Sequence, residues 1–151
     1  MKEFNNINEI LDFAIGEEQA AVDFYLQLAA QSKNSQTRKI FTDYAEEEMR
    51  HKANLLKIKE QGAFTMTDAT VRDLKIAEYL VDVRPTPNMT YQEALILAMK
   101  KEKAAFRMYS KLAEKAEDPA VKSVFLNLAQ EESKHKLAFE IEYDEFILKE
   151  N

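Results

Sequence analysis

Apolar residues return every three or four positions along four stretches of the chain. Phe13, Ala14, Ala21, Phe24 and Leu28 share one face of a 3.6-residue helix, and so do Phe41, Ala45, Met49, Leu55 and Leu56. Leu95, Ala98, Ala105, Met108 and Leu112 repeat the pattern, followed by Phe125, Leu128, Leu137 and Phe139. The periodicity predicts helices over about 7–32, 35–61, 90–116 and 119–148. Their starts carry capping chemistry. Asn6 with Glu9 reads as a capping-box-like start, Thr90 with Glu93 as a capping box, and Asn34 as an N-cap. Asp118 stands before Pro119, which suits a first helical position. Residues 62–89 predict a short helix near Thr70–Val81 and then the loop Arg84-Pro85-Thr86-Pro87.

The four stretches are two copies of one. Sliding the sequence by 84 residues gives 15 identities over the 44 positions from 9 to 52, without a gap. Composition alone would give roughly three or four. Matched positions include Glu18 with Glu102, Tyr25 with Tyr109, Phe41 with Phe125, Glu48 with Glu132 and His51 with His135. The unit is a helical hairpin, residues 7–61 and again 90–148, with a crossover at 62–89. A helix of 26 residues is about 39 Å long, and 28 crossover residues can run that length. The expected fold is all-α: a ferritin-like four-helix bundle of two duplicated hairpins, forming a single domain over 1–151.

Composition narrows the function. Only 2 of the 151 residues are glycine and 3 are proline, too few turn residues for a β-rich domain. The net charge of −6 argues against nucleic acid as a partner. No cysteine is present, which excludes disulfides, iron–sulfur clusters and thiolate metal sites. No run approaches the eighteen apolar residues of a membrane span, and Glu3 and Glu9 interrupt any secretory signal. A cytoplasmic location is the default expectation.

The protein has two histidines, and each follows a glutamate by three residues: Glu48-Met49-Arg50-His51 and Glu132-Ser133-Lys134-His135. Positions i and i+3 share a helix face, so both side chains can reach one ion. The other two helices offer the matched Glu18 and Glu102 among small and apolar neighbours, where an unneutralised carboxylate is costly. Four carboxylates and two imidazoles form a ligand set for two divalent metals. Glu48 and Glu132 would bridge, Glu18 and Glu102 would be terminal, and His51 and His135 would hold one metal each. Such ligation suits iron or manganese, and zinc could also occupy it. Glu17 adjoins Glu18 but aligns with Lys101; Glu47 and Glu131 also repeat and are read as outer-face or supporting groups. Tyr25 and Tyr109, two turns beyond Glu18 and Glu102, are candidates to hydrogen-bond a ligand carboxylate.

Glu18 to Tyr25, Glu102 to Tyr109 and the two Glu-x-x-His motifs together resemble the rubrerythrin group of the ferritin-like di-iron carboxylate superfamily. The resemblance spans about residues 7–148, including the crossover. It implies a di-iron centre that reduces hydrogen peroxide or dioxygen. Two departures stand out. Full-length rubrerythrins carry a cysteine-ligated rubredoxin domain, so this cysteine-free chain would take electrons from a separate donor protein. Rubrerythrins also have a further glutamate three residues after the third-helix ligand; here it is Ala105. The competing expectation is iron binding or storage without redox turnover, and a third is a structural bundle with no metal. A homodimer is expected by analogy and from apolar residues, Phe4, Phe146 and Ile147, assigned to outer faces.

Overall fold

A computed structural model describes residues 3–62, 64–80 and 84–150. Among the described residues the chain is helical and contains no strand. Five helices follow in order: α1 (Ile7–Gln31), α2 (Ser35–Gln61), α3 (Asp68–Leu74), α4 (Tyr91–Lys115) and α5 (Pro119–Glu150), with a 3₁₀ turn at Ile76–Tyr79. The four long helices fall within two residues of their expected bounds.

The caps explain those bounds. The Asn6 side chain accepts a hydrogen bond from the Glu9 N–H at 2.9 Å, but the Glu9 carboxylate accepts from Asn5 N–H at 2.7 Å and not from Asn6, so the expected box is shifted at one end. At α4 the box is complete: Glu93 N–H donates to Thr90 Oγ1 at 3.1 Å and Thr90 N–H donates to Glu93 Oε1 at 3.0 Å. These bonds hold the Glu93 carboxyl below its ordinary range. Asn34 Oδ1 accepts from Gln36 and Thr37, and Asp118 Oδ1 from Ala120. Gly62 ends α2 in the left-handed region at φ 58°, where the absence of a Cβ removes the penalty.

The crossover departs from expectation. The single helix anticipated near Thr70–Val81 begins at Asp68 and breaks at Lys75, which adopts φ 51°. Thr67 supplies the earlier start by accepting from Thr70 N–H. The chain re-forms only as the 3₁₀ turn, and Val81 lies outside the described residues.

Packing divides the chain into two compact units, Met1–Lys75 and Ile76–Asn151. In the first, α1 packs on α2 and buries Ile10, Leu11, Leu28, Phe41 and Leu55. In the second, α4 packs on α5 and buries Leu95, Leu112, Phe125 and Phe139, with the 3₁₀ turn against α4. Three expected core residues point outward: Met49 (50% exposed), Leu56 (37%) and Leu137 (57%). Each lies one or two residues from an inward position (Glu48, Leu55, His135), a rotation of about 100–200° around the helix. Two residues assigned to outer faces turn inward instead. Phe4 is buried against Phe13 at 5.3 Å, and the half-buried Phe146 meets Tyr91 edge-on at 5.2 Å. Ile147 is likewise half-buried.

Candidate metal centre

On α2 the buried positions Phe41, Ala45, Glu48, His51, Leu55 and Ile58 follow intervals of three or four. Glu48 and His51 are therefore continuous with the hydrophobic face. Glu18 occupies the equivalent face of α1, between Ala14 and Val22. In this unit His51 Nδ1 lies 3.5 Å from Glu18 Oε2 and 3.5 Å from Glu48 Oε1. In the second unit α4 presents Glu102, between Ala98 and Met108, while α5 presents Glu132 and His135. Here His135 Nδ1 lies 3.8 Å from Glu102 Oε1. In both triads one ligand atom from each residue lies within 4.8 Å of the others.

Among the described residues these six are the buried acidic and basic side chains, each at most 3% exposed. Glu17, Glu47 and Glu131 are half-buried and stand outside both triads, which resolves the choice between Glu17 and Glu18 for burial. The buried phenol rings flank the same helices. Tyr25 packs against Phe24 and Tyr44, and Tyr109 stacks on Phe125 at 6.2 Å. Tyr44 falls outside the repeated positions, its counterpart being Leu128. A tyrosine one turn before Glu48 on the inward face was the signal available.

Burying two carboxylates beside one imidazole, twice, opposes folding unless charge is neutralised. A divalent cation in each triad would do this. Donors about 2.1 Å from an ion are about 3.0 Å apart at a right angle and about 4.2 Å apart when opposed. The nitrogen–oxygen separations of 3.5 and 3.8 Å fall between these limits. Each triad could therefore hold a metal ion, and its oxygen-rich, single-imidazole chemistry is that of iron, manganese or zinc.

The sequence model described as Rubrerythrin matches residues 9–143, which covers both hairpins and the crossover. No curated protein and no solved structure matches the chain.

Proposed function

Because the chain belongs to the rubrerythrin family, a family of ferritin-like helical bundles that bind metal, we propose that it is a di-iron oxidoreductase that reduces hydrogen peroxide or dioxygen. The observation that carries this reading is the pair of buried Glu-Glu-His triads. Glu18, Glu48 and His51 would hold one iron, and Glu102, Glu132 and His135 would hold the other.

When bound there, two ferrous ions would supply the two electrons that, with two protons from solvent, convert one peroxide into two waters. The residues do the rest. The two carboxylates of each triad carry a charge of −2, which balances one divalent ion with neutral imidazole. Nδ1 of each histidine faces the carboxylates, so this nitrogen is the donor and must be unprotonated to bind. Burial on the hydrophobic face excludes bulk water, which favours reduction of a small oxidant over loss of the ions. Electrons for the next turnover come from a separate donor, because a chain without cysteine has no thiolate-held redox centre of its own.

Stopped-flow mixing of the diferrous protein with peroxide and with dioxygen tests the activity. Oxidation faster than that of free ferrous iron is expected with at least one of them; if neither gives it, the reading is overturned. Elemental analysis tests the ligands: His51→Ala and His135→Ala should each lower the iron content from about two per chain to about one or less. Uptake far above two irons per chain would favour storage instead.

A further inference from the structure

We propose that the outer face of α4 docks an acidic one-electron carrier protein that reduces the buried site, an inference that rests on the oxidoreductase reading above. Lys100, Lys103, Arg107, Lys111 and Lys115 follow one another at intervals of three, four, four and four residues. That spacing aligns them along one side of the helix over about 22 Å. Lys100, Lys103, Arg107 and Lys115 are exposed, and the Lys111 side chain is 43% exposed. Among the described residues only Lys111 of the five has an acidic partner, Glu114 at 3.5 Å. The remaining acids of α4 are committed elsewhere: Glu93 to the Thr90 cap and Glu102 to the buried triad. A concentrated basic face on a protein of net charge −6 is a local feature with its own attraction for anions.

The duplication shows that this face is not needed to build the hairpin. The matched positions on α1 are Gly16, Gln19, Asp23, Gln27 and Gln31, without one cation, and α1 forms a helix of the same 25 residues. The stripe also has a fixed relation to the site. Glu102 lies about 200° around the helix from Lys100, so the cations and the buried carboxylate occupy opposite sides of one helix, about 10–12 Å across. A carrier seated on the stripe is separated from the triad by that single helix. Phe106, 40% exposed, borders the stripe and offers the apolar contact that transient interfaces add to charge.

A line of charge of this length exceeds a small reductant and matches a protein face. The net −6 opposes any anion at long range; the stripe attracts at short range, where an acidic carrier presents an extended face of charge to it. The electron balance closes. Each reduced carrier gives up one electron and leaves oxidised. Two encounters supply two electrons, and with two protons from solvent one peroxide becomes two waters.

The test uses the full chain, metal-free and iron-loaded, with an acidic flavin mononucleotide carrier protein as the probe and the basic cytochrome c as control. Calorimetry should show carrier binding to both forms, weakening about tenfold or more between low and physiological salt, and no cytochrome c binding. The variant K100E/R107E/K111E should bind the carrier at least about tenfold more weakly and be reduced by it correspondingly more slowly. Its iron content and peroxide oxidation rate should equal those of the parent. The milder K100Q/R107Q/K111Q should give an intermediate loss, and it carries the test if charge reversal impairs folding. Absence of carrier binding, unchanged binding in both variants, or equally tight binding of duplex DNA would overturn the proposal. If the iron-loaded protein reacts with neither oxidant while carrier binding still depends on these residues, the oxidoreductase reading fails and the docking face stands.

Discussion

Lys52 and Lys136 occupy the same place in the two hairpins and do different things. Lys52 reaches across from α2 to Gln19 on α1 at 2.8 Å, whereas Lys136 pairs along its own helix with Glu140. The difference starts at two matched positions: Gln19, the acceptor for Lys52, is matched by Lys103, whose side chain has no acceptor, and Leu56 is matched by Glu140, which supplies one a turn beyond Lys136. The outer faces of the two leading helices diverge in the same way. α1 contains no lysine or arginine, while α4 contains six: Lys100, Lys101, Lys103, Arg107, Lys111 and Lys115. Inside, the hairpins scarcely differ. Each buries two glutamates and a histidine, with a tyrosine two turns beyond the leading glutamate. Positions facing the core are constrained by packing and by the chemistry of the triad, while exposed positions are free to change sign at little cost in stability.

The largest effect that probes this comparison is in the cores. Phe41→Ala and Phe125→Ala remove matched rings that are 1% and 0% exposed, and each should cost about 3–5 kcal/mol in urea unfolding of the metal-free protein. Costs differing by more than about 1 kcal/mol would show that the duplicated cores have ceased to be equivalent.

A smaller effect separates the helix starts. Thr90→Ala removes a reciprocal cap and should cost about 1–2 kcal/mol; Asn6→Ala removes a one-way bond and should cost about 0.5–1 kcal/mol. The Thr90 cap also has a pH signature. The backbone and side-chain bonds to Thr90 lower the Glu93 pKa in the folded state. A depressed pKa stabilises above the unfolded carboxylate range, and the contribution is lost as pH falls through the folded value. Glu93→Gln should therefore lower the melting temperature near pH 7, and the two proteins should converge in acid. A difference that persists at low pH would refute the linkage.

The smallest effect is a gain. Gly16 stands mid-helix in α1, where its counterpart is Lys100, and a Cβ built there meets nothing within 4 Å. Gly16→Ala should add about 0.5–1 kcal/mol through helix propensity. A loss would mean that this position is covered by something other than the chain itself.

Much of the molecule is legible in the sequence. Period, caps and the 84-residue repeat located the four long helices to within two residues, because each boundary is set by a local bond such as Asn34 to Gln36 or Asp118 to Ala120. The repeat also singled out Glu18, Glu48, His51, Glu102, Glu132 and His135, and the triads contain these six residues. Less legible was the crossover, where Thr67 and Lys75 shift a short helix whose few turns carry little periodicity. The basic stripe of α4 was present at helical spacing, but only the exposure of its members distinguishes a continuous face from scattered charge.

Sequence alone determined the four long helices, the duplicated positions and which side chains carry metal-ligating groups, since these follow from local hydrogen bonds and from chemical identity. Tertiary packing decided the rest. It turned Met49, Leu56 and Leu137 outward, drew Phe4 and Phe146 onto neighbouring rings, and set each histidine nitrogen beside a carboxylate. An apolar residue one or two positions off the buried stripe satisfies the same pattern, and only the rotation of each helix against its partner selects which of them leaves water.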